Sequence, residues 1–555
     1  MDLKKINDAL SVAAQIQLHE VSLVAQAGFK SVICNRPDGE SPDQPSHQEI
    51  QAACAAHGIA FRFLPADTGK VLDGHGTEFG ELLRTLPGPV LAYCRTGTRS
   101  TTMWALSQAN VLSPTDIIDR AAKAGFDMRG LIRRLLNGGL TPNDTVDAEH
   151  DVVIVGGGAA GIAVAASLLS RDPNVDIAII EPAEVHYYQP GWTLVSAGVF
   201  QAQDTARSMA SVLPAGVRWI KSAVAAFEPQ SNRLVLEGCR LVQYKQLIVA
   251  AGLKLDWNAI PGLAQTLGQH GVTSNYRFDL APYTWQLVQG LQRGTALFTQ
   301  PLPPFKCAGA AQKAMYLAAD HWRSKGVLQQ MDIHYCSAAG VLFHVPDYVP
   351  ALMSYIQAYG IDLRLQERLV AVNGPAQEAT FAAVDAQGQA QTITRRFDLL
   401  HVVPPQTAPD FVRHSPLADA AGWVDVDAQT LQHKVYANVH ALGDVGNSPN
   451  SKTAAAARAQ APVVAHNVMV ALGRSKGKAK YNGYGSCPFT VERGKVVLAE
   501  FLYEGKLAPT FPTWLINGKK PSRLAWLLKE RLLPPVYWSA MLKGREWLVN
   551  PELEG

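Results

Sequence analysis

The first 137 residues alternate short apolar runs with amphipathic ones. SLVAQAGF and HQEIQAACAAHGIA carry helical spacing, whereas KSVICN, FRFLPAD and PVLAYC read as strands. That alternation predicts a small α/β domain with a mostly parallel sheet. Between Leu136 and His150 the periodicity gives way to LNGGLTPNDTVDAEH, all turn-formers and acids, so residues 138–150 are expected to form a linker. A second α/β region takes up residues 151–510. The last stretch, 511–555, differs again: WLLKERLL and YWSAMLK read as short amphipathic helical segments.

The uncharged, mostly apolar run Val152 to Ser170 satisfies the length rule for a membrane-spanning helix. Its centre, GGGAAG, is a tight turn, so a strand followed by a helix is the better reading and no span is expected. Gly156, Gly158 and Gly161 occupy the G-x-G-x-x-G positions, where the first permits the turn, the second admits a pyrophosphate and the third lets helix and strand touch. A second strand, VDIAII, ends at Glu181, twenty residues after Gly161, where a carboxylate can take ribose hydroxyls. QLIVAAG, ending at Gly252, and VHALGDVGN, holding Gly443 and Asp444, resemble the distal motifs of flavoproteins with two dinucleotide-binding domains. That resemblance implies FAD, with the aspartate on its ribityl chain. The strand TALFTQ then runs into PLPPFKCAGAAQKAMYLAADHW with no second glycine fingerprint. The reductant is therefore expected to be something other than a pyridine nucleotide.

Composition adds exclusions. The chain has 555 residues, 47% hydrophobic and 17% charged, the latter against about 25% in an average protein, which rules out a disordered or coiled-coil chain. A net charge of +3 argues against a nucleic-acid partner. The N-terminus has early acids and no apolar core with a cleavage site, so no secretory signal is read. Seven cysteines without regular spacing build no disulfide framework or metal site; a reducing compartment fits, and any disulfide should be catalytic.

Cys307 lies between Lys306 and the start of a helix, a setting that favours thiolate. Cys487 sits in the loop YGSCPF. Both could equally be small buried apolar side chains. HYYQPGWTLVSAG, PFKCAGAAQKAMYLA, AGWVDVDAQTLQH, NVHALGDVGNSPNSKTAAAA and YNGYGSCPFT together resemble the mitochondrial-type branch of the sulfide:quinone oxidoreductases, over residues 151 to about 548. The resemblance implies that Cys307 and Cys487 form a redox-active disulfide beside the flavin, that Gln189 and Lys452 join the cofactor site, and that sulfide is the donor and quinone the acceptor. A small thiol or sulfite would take the sulfane sulfur. Cys239 and Cys336 match no family cysteine and read as structural. The runner-up is a type II NADH:quinone dehydrogenase with an N-terminal phosphatase. A redox-sensing FAD scaffold, which would reduce no quinone, is a third reading.

In the first domain the strand PVLAYC leads into RTGTRSTTMWALSQA, so Cys94 to Arg99 form a strand–loop–helix cradle whose amides can converge on the sulfur. Phosphatases use five residues between cysteine and arginine, with a loop acid such as Asp67. Here four intervene, closer to the persulfide-holding loop of rhodanese-type sulfurtransferases. GFKSVICNRPDGE and PVLAYCRTGTRSTTMWAL resemble the phosphatase-like domain of beta-lactamase-hydrolase-like proteins, which accompanies sulfur-metabolising enzymes. Sulfurtransferase, phosphatase and non-catalytic scaffold stay open here. At the other end, residues 511–545 hold seven Lys/Arg against Glu530 alone, a net +6, interleaved with Trp514, Trp526, Tyr537 and Trp538. Such a segment is expected to lie on a membrane surface, peripherally and on the cytoplasmic face, unless it packs as a basic helix or joins an oligomer contact.

Overall fold

The computed structural model describes residues 1–384, 388–549 and 551–554. Two compact units emerge: Met1–Glu149 with Val224–Gln243 and His414–Pro416, and the remainder from His150 onward.

In the first unit five strands run in the order Lys4–Lys5, Leu10–Ala13, Val90–Tyr93, Ser31–Cys34 and Ala60–Phe63, parallel except for the first pair. VLAY and SVIC are buried throughout, as strands covered on both faces require. Helices Asp73–Thr85, Thr98–Ser107 and Pro114–Lys123 contribute to one core with Phe79, Trp104 and Ile117 at its centre. The expected linker 138–150 is shorter than its composition suggested. Its polar end is already the start of strand Val146–Val155, where exposed and covered positions alternate before the fully buried VVIV. The alternation of a half-covered strand was mistaken for a loop because its outward positions are acids.

In the second unit strands Val217–Ile220, Ile177–Ile180, Val146–Val155 and Leu241–Val249 follow one another, and Val439–Ala441 also pairs with Leu241–Val249. Helix Ala159–Arg171, nearly all small and apolar, packs on this sheet beside helix Ala454–Ala471, which Thr453 caps through Oγ1. A second sheet, wholly parallel, orders Val272–Thr273, Leu399–His401, Gly294–Gln300, Met331–Ser337 and Asp362–Leu365. Helix Ala310–Ser324 packs against it and against the hairpin Gly485–Glu492/Lys495–Phe501.

The tail departs from its expectation. Helix Arg523–Leu527, a π-helical turn Leu528–Leu532 and helix Leu533–Ser539 follow in sequence. Pro534 and Pro535 lack the N–H that would bond the carbonyls four residues back, which accounts for the widened turn before them. Trp526, Tyr537 and Trp538 are buried rather than at a lipid interface, and so is Lys529. The exposed apolar side chains are Trp514, 84% exposed, with Leu515, Leu524, Leu527 and Leu532, and farther on Trp547, Leu548 and Leu553. Among the described residues no helix is long and apolar enough to cross a membrane.

Candidate active site

The dinucleotide cradle sits where strand Val146–Val155 meets helix Ala159–Arg171. Gly156 has φ +107°, and a Cβ there would lie 2.5 Å from the Ala250 carbonyl oxygen; one on Gly161 would lie 1.9 Å from that of Gly156. A Cβ on Gly158, by contrast, would meet nothing within 4 Å. This is the helix N-cap and carries no side-chain cap, leaving the first amides free for an anion. Glu181 closes the turn, accepting from Gly157 N at 2.8 Å and from Ala183 N at 2.8 Å. Gly252 and Gly443 both have positive φ, at +68° and +76°. These features fit a dinucleotide.

Farther along, Asp444 and Lys452 come together: Lys452 Nζ donates to the carbonyls of Asp444 at 2.6 Å and Gly446 at 2.8 Å, and stands 4.0 Å from the Trp423 ring. Burial lowers its pKa to about 8. The Asp444 carboxyl is pushed up by burial, with Lys452 and Lys306 opposing. Gln189 accepts from Lys306 Nζ, whose ammonium also lies 5.6 Å from Trp192 and 5.4 Å from Tyr276. Two buried donors here, Gln406 Nε2 and Trp192 Nε1, have no protein partner, which fits a polar cofactor held beside them.

The Lys452 backbone also fixes the sulfur chemistry, because its carbonyl accepts from Cys307 N at 2.8 Å. Tyr276 Oη donates to the Lys306 carbonyl at 2.9 Å. Held between them, Cys307 adopts φ +51°. For a residue with a Cβ that conformation costs about 1–2 kcal/mol, and it survives because the neighbours over-determine it. Cys487, from strand Gly485–Glu492, brings its Sγ to 3.9 Å from that of Cys307, both being free thiols. Glycine at 309 makes the approach feasible: a Cβ there would lie 2.7 Å from Cys487 Sγ and 2.4 Å from the Phe489 ring.

Two lysines that the sequence reading passed over complete the site. Lys313, on the first turns of helix Ala310–Ser324, reaches back along the helix to place Nζ 3.1 Å from Cys307 Sγ. Lys529, 4% exposed, enters from the π-helical turn, close enough to interact with Lys313 and both sulfurs. The pair shares its proton unequally. A hydrogen bond from Cys487, then the charges of Lys313 and Lys529, hold the Cys307 thiol well below its ordinary pKa despite burial. Cys487 keeps the proton and is pushed up by its hydrogen bond to Cys307, then by burial and its neighbour's charge. Burial opposes charge on Lys313, yet the sulfurs outweigh it and its pKa rises. Lys529 goes the other way: burial, then Lys313, bring it down to about 7. The result is a thiolate–thiol pair in a positive, largely buried setting, suited to thiol–disulfide exchange with a small anionic nucleophile.

The first unit has its own cysteine. Cys94 is buried and accepts from Gly97 N at 3.1 Å. Arg99 is near enough for its charge to interact with that sulfur, but its guanidinium is gripped by Glu40, Nη1 to Oε1 at 2.8 Å and Nη2 to Oε2 at 2.7 Å, and also donates to the Ala66 carbonyl at 2.6 Å. Arg36 supports Glu40 from the other side at 2.9 Å. Asp67 points to solvent, 68% exposed, 3.7 Å from Lys70.

A family model described as pyridine nucleotide-disulphide oxidoreductase matches residues 150–461, and one described as beta-lactamase hydrolase-like protein, phosphatase-like domain, matches residues 2–111. The mitochondrial sulfide:quinone oxidoreductase of Mus musculus is 39% identical over 400 residues, covering 72% of this chain and 88% of that protein. The beta-lactamase hydrolase-like protein of Agrobacterium fabrum is 32% identical over 137 residues, 24% of this chain and 32% of its own length. Among solved structures, the sulfide:quinone oxidoreductase from the bacterium Aquifex aeolicus shares the fold at a TM-score of 0.61 and 18% identity, covering 73% of this chain and 97% of its own. With the glycine cradle and the paired cysteines in one unit and the Cys94 loop in the other, the chain belongs to the sulfide:quinone oxidoreductase family, of mitochondrial type, and carries a beta-lactamase-hydrolase-like phosphatase-like domain ahead of it.

Proposed function

We propose that this chain oxidises sulfide in two stages, an FAD-dependent sulfide:quinone oxidoreduction and a transfer of sulfane sulfur by the N-terminal domain. The observation that carries the first stage is the Cys307–Cys487 pair, 3.9 Å apart beside Lys313 and tied by its backbone to Lys452. In the oxidised pair, hydrosulfide attacks Cys487 Sγ. The Cys307–Cys487 bond breaks, Cys487 becomes a persulfide and Cys307 leaves as the thiolate that Lys313 stabilises. An acceptor thiolate then takes the outer sulfur, leaving Cys487 as the thiol. Re-forming the disulfide releases two electrons from the cysteine pair. FAD, held by the Gly156–Gly161 turn, Glu181, Gln189, Gly252, Gly443, Asp444 and Lys452, would supply the two-electron relay to quinone.

Anaerobic titration with sulfide, followed by quinone, tests this: the flavin should bleach and then recover its colour. Cys307→Ala should abolish bleaching, and undiminished sulfide-dependent reduction in that variant would refute the assignment.

For the second stage, Cys94 carries the sulfane sulfur under the Gly97 amide, with Arg99, held by Glu40, fixing the far end of the loop. The four-residue spacing and the exposed, lysine-paired Asp67 favour sulfur over phosphoryl chemistry. Loss of persulfide transfer to glutathione in Cys94→Ser, without aryl-phosphate turnover in the wild type, is the expected result.

The exposed Trp514, Leu515, Leu524, Leu527 and Leu532 beside Arg523 and Arg531 support peripheral attachment to a membrane, where quinone is met.

A further inference from the structure

The C-terminal segment touches the dinucleotide turn through a chain of three groups. His186, buried in strand Val185–Tyr187, lies with Nδ1 3.0 Å from the Gly157 carbonyl oxygen and Nε2 2.6 Å from Tyr537 Oη. A carbonyl can only accept, so Nδ1 carries the hydrogen. The neutral ring, which burial favours, then accepts the Tyr537 hydroxyl proton at Nε2. Gly157 is thus held on both sides, its N–H by Glu181 and its C=O by His186. It sits between Gly156 and Gly158, immediately ahead of the free amides of helix Ala159–Arg171.

The contact continues down that helix. Gly544, at φ +71°, passes so close that a Cβ would lie 2.5 Å from the Ala166 carbonyl oxygen. Glu546 accepts from Ser167 Oγ at 2.5 Å and from Arg171 at 2.6 and 3.0 Å. Tyr537 and Glu546 therefore pin the segment at the two ends of the helix whose N-terminus faces the phosphates.

We propose that Tyr537 is a positioning residue for the dinucleotide turn, and that docking of the C-terminal segment and retention of the flavin are one coupled event. This rests on the flavin reading above. Coupling is reciprocal: a docked segment holds Gly157 in the cofactor-binding geometry, and bound cofactor holds the segment down.

The test uses the flavin-loaded full chain. Tyr537→Phe keeps the ring against Tyr188, whose centroid is 4.7 Å away, and removes only the hydroxyl. Flavin release, followed by fluorescence, should be about five- to tenfold faster, the equivalent of one hydrogen bond. Gly544→Ala should release faster still. Limited proteolysis of the wild type should cut within residues 523–549 readily when flavin is stripped and slowly when it is bound. The flavin-free Tyr537→Phe protein should melt with flavin-free wild type, whereas a merely structural hydroxyl would lower both forms alike. An unchanged release rate in Tyr537→Phe, or equal cleavage with and without flavin, overturns the coupling while leaving the flavin reading intact. A purified protein that holds no flavin and takes up none from added FAD overturns both. Should Tyr537→Phe not fold, the wild-type proteolysis comparison decides.

Discussion

Lys529 is the residue on which the acid–base behaviour of the redox site turns. With a pKa brought down to about 7, it is charged below neutrality and uncharged above it. Its charge helps hold Cys307 as thiolate, so that support fades as pH rises through 7. The pH profile of sulfide-dependent flavin reduction should carry a falling limb near 7 that flattens in Lys529→Met, at a rate reduced about tenfold for loss of a buried charge near the reacting sulfur. Lys529→Arg should instead move the limb beyond the accessible range; a wild-type limb in Lys529→Met would remove the lysine from the chemistry. Gly309→Ala makes a steric counterpart. Its new Cβ would sit 2.7 Å from Cys487 Sγ, so disulfide formation should be impaired while flavin content holds, as thiol counting of the oxidised protein would report. Neither lysine was legible as functional, because lysine in a sequence reads as solvent-facing. A signal existed for Lys313 alone: it is the only charge from Ala308 to Ala319, a run too apolar to face water.

Among the elements, the glycine turn was legible in full, since Gly156 and Gly161 answer local steric demands at fixed spacing and Gly158 leaves open space at the helix N-terminus. The pairing of Cys307 with Cys487 was not. They stand 180 residues apart on a helix-leading loop and a hairpin, and only family resemblance joined them before the fold did. The tail was half legible. Its aromatic positions have a different owner than the pattern suggests: Trp526, Tyr537 and Trp538 are buried, and the exposed apolar side chains are Trp514, Leu515, Leu524, Leu527, Leu532, Trp547, Leu548 and Leu553. Deleting residues 511–555 is therefore expected to yield unstable, flavin-poor protein rather than a soluble enzyme. Leu524→Gln with Leu527→Gln and Leu532→Gln should release flavin-loaded enzyme from vesicles in a flotation assay. Retention of that triple variant on liposomes would place the membrane contact elsewhere.

At the scale of the whole chain, the two cysteine sites are built in unrelated ways. The first unit uses backbone: Gly97 N on Cys94, with Arg99 already matched to Glu40. The second uses buried ammonium groups. The first was readable from a contiguous loop, the second needed three distant segments to converge. Cys94→Ser should therefore leave sulfide-driven quinone reduction within about twofold of wild type while abolishing sulfur transfer, whereas Cys487→Ser should lose both when sulfide is the sole sulfur source. Loss of quinone reduction in Cys94→Ser would mean that the two activities are not separable.

The π-helical turn has a consequence for phase. Lys529 and Tyr537 are eight positions apart, and in a regular α-helix eight steps of 100° leave two side chains about 80° out of alignment. The widened turn Leu528–Leu532 accommodates one surplus residue, and both side chains come to lie buried. The tail is thus a gear with one extra tooth: removing a single residue inside the turn would use up the surplus and leave Tyr537 facing His186, whereas one residue added between Leu533 and Tyr537 would swing the ring by about 100° and break that contact.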